Sequence, residues 1–161
     1  MPTSSPAPER SIPAPVVTPE TRRFWEAANE ERLLLPRCRA CGKVHYYPRA
    51  RCPFCFGPAD EWIEARGEGE IYSYSIMRRA DPPYVIAYVS LPEGVRMLTN
   101  IIGADFDELA IGQKVRLVFV ASESGQKVPM FTPIAPWAPP ISRPCAPPSG
   151  GTGTRSQAPN G

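Results

Sequence analysis

The residues of this chain best suited to chemistry, by type and by spacing, are four cysteines. Cys38-Arg39-Ala40-Cys41 and Cys52-Pro53-Phe54-Cys55 form two C-x2-C pairs separated by ten residues. A C-x2-C loop brings two thiolates to one side of the backbone, whose N–H groups bond to the sulfurs, and a second loop completes a tetrahedron around one metal ion. Gly42 supplies the turn after the first pair, whereas Phe56 intervenes before Gly57 after the second. Zn2+ is the expected ion for a structural site, and tetrahedral sulfur also suits iron, so an iron centre stays open as the alternative. Four protein ligands leave no position for water, so the expected metal is structural and not a Lewis acid. Disulfides or unpaired core cysteines are the competing explanation, and a reducing compartment disfavours disulfides.

Other chemistry-bearing residues carry weaker signals. His45, the single histidine, falls between the two pairs. A surface or hydrogen-bonding role is expected for it, because four thiolates already close the site. Cys145 lies alone in a proline-rich segment and reads as a free thiol. Glu61, Glu64, Glu68 and Glu70 offer paired carboxylates in a turn-rich stretch, yet no nucleophile, open metal site or phosphate loop accompanies them. They read as a solvated connection, which argues against a catalyst acting alone.

Charge divides the chain. The formal net charge is only +2, but residues 21–55 hold eight Lys/Arg against three Glu, while residues 56–134 hold seven basic and eleven acidic residues. A basic front half therefore precedes an acidic back half. No apolar run approaches the roughly 20 residues of a membrane span, and no secretory signal pattern opens the chain, so a cytoplasmic location is expected.

The elements that must position the cysteines can be read from the flanking sequence. Residues 1–17 and 135–161 concentrate Pro with Ser, Ala or Gly and few large apolar groups, and are expected to be disordered tails. Thr18-Pro19-Glu20 predicts a helix start with Thr18 as cap, and the helix is expected to run to Leu34 or Leu35, before Pro36. Residues 18–36 thus form a helical arm and residues 37–64 a zinc ribbon. Strands are predicted over residues 69–78, 84–91, 96–102, 114–120 and 130–134, bounded by turn residues such as Asp81-Pro82-Pro83 and Pro92-Glu93-Gly94. Five short strands with one longer connection, at residues 103–112, predict a barrel of the OB type over residues 65–134. The fold class expected is mainly β.

Taken in order, Phe24-Trp25, Leu33 to Arg37, the two cysteine pairs, Tyr47-Pro48-Arg49, Trp62, Gly67-Glu68-Gly69, Tyr72-Ser73-Tyr74-Ser75, Gly112 and Pro129-Met130-Phe131-Thr132-Pro133 resemble the DUF35 family. The resemblance covers roughly residues 20–134. It implies an N-terminal helical arm, a rubredoxin-like zinc ribbon and an OB-fold. It also implies an accessory subunit that sits beside a thiolase-fold enzyme (thiolase, aldolase or acyltransferase), helps bind acyl-CoA, and leaves the catalytic residues to its partner. Phe56 departs from the family pattern, which has Gly after the fourth cysteine, and a looser second loop is expected there. Phe24 and Trp25 are the expected interface anchors if the arm exposes them, since large aromatics commonly dominate protein interfaces.

CoA carries a diphosphate and a 3′-phosphate, so its site wants Arg or Lys beside an aromatic surface. Tyr46, Tyr47, Arg49 and Arg51 offer that combination, against the plainer reading of a solvated basic face. Four thiolates and one Zn2+ add −2 to the +5 of residues 21–55, which leaves about +3. The rival function is single-stranded nucleic-acid binding, with Tyr72, Tyr74, Tyr84 and Tyr88 as stacking platforms. The acidic balance of the barrel segment opposes a phosphate backbone and makes that reading the weaker one.

Overall fold

Alternation along the second half of the chain folds it into a closed barrel. The structure is a computed structural model and describes residues 10–134. Its elements are α1 (Arg22–Asn29), β1 (Leu34–Arg37), β2 (Glu61–Glu64), β3 (Glu68–Met77), β4 (Tyr84–Ser90), β5 (Arg96–Ile101), β6 (Lys114–Ala121) and β7 (Lys127–Pro133). In β4, Val85, Ala87 and Val89 turn inward while Tyr84, Ile86 and Tyr88 turn outward, as a pleat with one buried face requires. The five last strands close in the order β3-β4-β5-β7-β6, with the parallel contact between β5 and β7 made at Ile101 and Phe131. This is the predicted OB-type topology. Ile71, Val85, Val89, Met97, Val115 and Phe131 form its fully buried centre. The longer connection between β5 and β6 buries Leu109, whose carbonyl accepts from the Tyr74 hydroxyl at 2.8 Å.

Gly69 marks the point where β3 leaves its pairing with β4 and joins β6. A Cβ there would lie 2.4 Å from Val89 Cγ1 and 2.9 Å from the Ser90 carbonyl oxygen. No larger residue fits without moving the strand.

The helical arm is shorter than predicted. Thr18-Pro19-Glu20 forms a turn instead of a helix start, and Thr21 stands at the N-cap position of a helix of eight residues with its hydroxyl bonded back to Thr18 and not to the helix. At its end Glu31 takes a left-handed conformation (φ 61°). The Arg32 N–H donates to Ala27 O at 2.9 Å and the Glu31 N–H to Ala28 O at 3.0 Å, the paired bonds of a Schellman ending. Leu34 and Leu35, predicted helical, instead belong to β1, which pairs antiparallel with β2 from Leu34↔Glu64 to Arg37↔Glu61. Pairing between segments far apart in the chain outweighs the local helical preference, and β2 has no recognisable signal of its own in so short a stretch.

Helix α1 packs on β7 and β1. Gln126 Nε2 donates to the Trp25 carbonyl and to Asn29 Oδ1, both at 2.9 Å. The arm is thereby held to the turn between β6 and β7. Residues 10–12 also lie against the barrel and not as a free tail, with the Ile12 carbonyl accepting from the Glu123 N–H at 2.9 Å. Residues 1–9 and 135–161, with Trp137, Ile141 and Cys145, lie outside the described residues. No helix among the described residues is long and apolar enough to cross a membrane.

Candidate metal centre

The two-stranded sheet of β1 and β2 opens at Arg37 and closes at Glu61, and both cysteine pairs lie on the chain between them. Each pair sits in a loop closed by the same hydrogen bonds. In the first, the Cys38 N–H donates to Lys43 O at 2.9 Å and the Gly42 N–H to Cys38 O at 2.8 Å. In the second, the Cys52 N–H donates to Gly57 O at 2.9 Å and the Phe56 N–H to Cys52 O at 3.0 Å. Gly42 has φ 70° and Phe56 φ 59°. The looser second loop expected from Phe56 is therefore not found. A phenylalanine takes the left-handed turn at a cost of about 1–2 kcal/mol, relative to a residue that adopts it freely.

The four sulfurs all lie within 4.8 Å of one another. Cys38 and Cys55 Sγ are 3.5 Å apart, and Cys41 and Cys52 Sγ 3.7 Å. A tetrahedral zinc with Zn–S bonds of about 2.3 Å has sulfur–sulfur edges of about 3.8 Å, close to the two short edges, so small shifts of the side chains suffice to fit that ion. Gly57 keeps the centre open: a Cβ on it would stand 3.0 Å from Ala40 Cβ, 3.4 Å from Cys55 Sγ and 3.6 Å from Cys38 Sγ. Cys38 and Cys52 are buried, Cys41 and Cys55 exposed.

Electrostatics point the same way. The Cys41 backbone N–H, joined by the Ala40 N–H and by neighbouring sulfurs, brings the Cys38 thiol down to about 7 despite its burial. At Cys55 the Gly57 N–H favours the thiolate, but the sulfurs of Cys38, Cys41 and Cys52 outweigh it and push the thiol up. Four sulfurs this close cannot all ionise without a cation among them. The cluster is built to bind a metal, with all four positions supplied by the chain.

His45 is buried, not on the surface. Its Nδ1 lies 3.3 Å from the Tyr47 carbonyl, and its Nε2 has no partner among the described residues. Donation from Nδ1 leaves Nε2 the bare acceptor of a neutral ring. Burial, with Arg49 nearby, holds the imidazole below its ordinary value, against the opposing pull of the Tyr47 carbonyl.

The expected interface pair is used inside the chain. Phe24 is 1% exposed and Trp25 7%. Their rings meet edge to face at 4.9 Å, and Phe24 lies 6.2 Å from Tyr46 and 5.9 Å from Tyr47. Trp25 Nε1 donates to the Tyr47 hydroxyl at 3.1 Å. This aromatic cluster ties arm, ribbon and barrel together, so the premise of an exposed arm fails. Of the four residues expected to meet CoA, Tyr46 packs against the core, and burial pushes its phenol up. Tyr47, Arg49 and Arg51 remain exposed on the ribbon, and Arg51 Nη1 donates to the Phe56 carbonyl at 3.3 Å.

Three of the four glutamates between ribbon and barrel are in exposed ion pairs: Glu61 with Arg39, Glu64 with Arg32, and Glu70 with Lys114. They lie on β2 and β3 and not in a turn. Their arrangement is that of a solvated face. Two stacked pairs escaped the sequence reading. The Arg96 guanidinium lies 3.7 Å from the Tyr72 ring centre and that of Arg10 3.5 Å from the Tyr84 ring centre. Each joins residues far apart in the chain, so no local pattern reveals them.

Comparison with known proteins places this geometry. The zinc-ribbon family described as "ChsH2, rubredoxin-like zinc ribbon domain" matches residues 25–61, and "ChsH2, C-terminal OB-fold domain" matches residues 62–120. A probable enoyl-CoA hydratase alpha subunit of Thermomonospora curvata is 33% identical over 134 residues, 80% of this chain. The chain spans only 42% of that relative's length. A DUF35 domain-containing scaffold protein of Methanothermobacter thermautotrophicus is 35% identical over 62% of this chain and 81% of its own. The solved structure "Ltp2-ChsH2(DUF35) aldolase" superposes with a TM-score of 0.68 at 34% identity, over 76% of this chain and all of the other. With the ribbon, the barrel and these relatives in agreement, the chain belongs to the DUF35 family.

Proposed function

We propose that this chain is a non-catalytic accessory subunit that binds a thiolase-fold enzyme, holds a structural Zn2+ in its ribbon and helps bind an acyl-CoA substrate. The observation that carries the reading is the likeness to the DUF35 chain of an aldolase, at 34% identity along that chain's whole length. The donor set agrees with it. Four thiolates from the protein fill a tetrahedron, so a zinc bound there organises the loops and offers no coordination site to substrate. Cys38, Cys41, Cys52 and Cys55 would hold the ion, and its charge balance turns a cluster of repelling sulfurs into a rigid knot.

The ribbon face supports the CoA part of the reading. Arg49 and Arg51 are exposed beside Tyr47, and guanidinium groups bind phosphate in bidentate fashion. A phosphate-rich ligand shared between this face and an enzyme partner would be held from both sides. In the rival reading, single-stranded nucleic acid stacks on Tyr72 and Tyr88, which stand 49% and 46% exposed on the barrel. The excess of acidic residues in that half of the chain opposes it.

An affinity pull-down from the native host, with metal analysis of the eluate, tests the main reading. Recovery of a thiolase-fold enzyme in fixed proportion with about one zinc per chain supports it. In that complex, Arg49→Ala combined with Arg51→Ala should weaken CoA about tenfold and leave the complex intact, a loss on the scale of one or two charge-assisted hydrogen bonds. Recovery of nucleic acid whose binding falls steeply with salt would transfer the conclusion to the rival.

A further inference from the structure

Outside the barrel, the start of β4, the end of β5 and the outer side of β6 and β7 frame a groove of about 890 Å3. Ile101 and Met130 contribute to its floor, and Tyr84, Ile102, Phe106 and Val120 to its walls. A groove of this size and apolar character is what a ligand site on a small domain looks like. Its rim is made by the chain's own residues 10–12.

Three contacts seat that segment. The Ile12 carbonyl accepts from the Glu123 N–H at 2.9 Å. The Ser11 hydroxyl donates to the Glu123 carboxylate. The Arg10 guanidinium covers the Tyr84 ring. Glu123 lies in the turn that joins β6 to β7, where Ser122 N–H donates to Gln126 O and Gly125 N–H to Ser122 O. Its own N–H takes no part in those bonds, and the Ile12 carbonyl satisfies that donor. The segment reads Arg10-Ser11-Ile12-Pro13-Ala14-Pro15. Each proline fixes its own φ and holds the preceding residue extended, so this stretch loses little backbone freedom when it docks. Extended proline segments against aromatic-lined grooves are a recurring mode of peptide recognition.

We propose that this groove is a binding site for an extended, proline-containing peptide, and that residues 10–12 take up one side of it in cis and leave the rest open. The side-chain pattern it selects is a cation stacked on Tyr84, followed two residues later by a β-branched apolar group ahead of a proline. The inference needs no enzyme partner and stands or falls apart from the accessory-subunit reading.

The test uses the full chain. Ile12→Asp puts a charge at a half-buried position outside the barrel core, so it displaces the segment without emptying the core. A fluorescent peptide with the sequence of residues 8–17 is titrated into both chains and followed by anisotropy. The Ile12→Asp chain should bind it, and the unsubstituted chain at least about tenfold more weakly, because a tethered segment competes at about millimolar effective concentration. Adding Tyr84→Ala to Ile12→Asp should weaken the peptide a few-fold, the scale of a partly exposed cation–π contact. The Glu123 amide should exchange slowly in the unsubstituted chain and fast in Ile12→Asp, with the Val85 and Val89 amides unchanged as a folding control. Equal exchange of Glu123 in both chains, or binding of the peptide by neither, would overturn the proposal.

Discussion

The ribbon and the barrel solve the same problem, holding a short chain in one shape, by different means. The barrel closes five strands over a continuous apolar interior that includes Ile71, Val85, Met97, Val115 and Phe131. The ribbon between β1 and β2 has only Cys38, Cys52 and Ala59 as a buried cluster of its own. So small a cluster removes too little apolar surface from water to offset the entropy of ordering some twenty residues. The difference teaches that the metal stands in the ribbon where a hydrophobic core stands in the barrel, with the aromatic cluster of Phe24, Trp25, Tyr46 and Tyr47 as the seam between them.

Removing the metal is the largest way to sharpen that contrast. Chelation, or Cys38→Ser, should release the ion and unfold residues 38–60, because binding energy on the order of 10 kcal/mol is also folding energy in such modules. Metal content and amide exchange check it. Exchange protection should vanish between β1 and β2 and persist in β3 to β7. If the barrel lost protection as well, the two regions would be one folding unit and the contrast would break.

Phe131→Ala probes the other side. Phe131 is fully buried where β5 meets β7, and emptying such a site typically costs about 3–5 kcal/mol. Urea unfolding should show the loss in the barrel transition, while the metal content of the folded fraction stays at its original value.

A smaller effect separates the two cysteine loops. Phe56→Gly should stabilise the ribbon by about 1 kcal/mol by relieving the left-handed phenylalanine, and Gly42→Ala should destabilise it by about the same amount. Competition with a chelator reads both. Equal metal affinity in all three chains would show that the metal, and not the backbone, dictates the turn.

The finest effect is a pH dependence. The His45 imidazole is held below its ordinary value of 6.5, chiefly by burial. The folded chain thus binds fewer protons there than the unfolded chain. Its contribution to stability is complete above that value and is lost as pH falls through it toward the folded pKa. His45→Gln should flatten the pH dependence of the ribbon's unfolding near pH 6, measured at fixed metal. A profile unchanged by the substitution would remove His45 from the account.

What could be read without a structure was governed by spacing and period. Two C-x2-C pairs with short turns admit few arrangements other than a shared metal, and the alternation over residues 115–119 names the inward face of β6, whereas in β3 a bulge after Ile71 brings Tyr74 and Ile76 to the core side with it. Bounds were good to a residue or two for β3 to β6, while β7 begins three residues before its predicted start because the turn at Gly125 is tight. Legibility failed where a residue's role depends on a distant partner. Leu34 and Leu35 look helical until Ile63 and Glu64 pair with them. Phe24 and Trp25 look like exposed anchors until Tyr46 and Tyr47 return to cover them. Residues 10–12 look like tail until the β6–β7 turn offers Glu123.

The sequence by itself determined the four cysteines suited to a metal, the succession of the five barrel strands along the chain and the division of charge between the halves, because each follows from residue type at short range. Only the tertiary structure decided which aromatics are buried, that Phe56 would be forced into a glycine's conformation, and that the N-terminal segment lines a groove. Those outcomes depend on contacts between segments far apart in the chain, whose energies appear only when closure of the barrel brings the segments together.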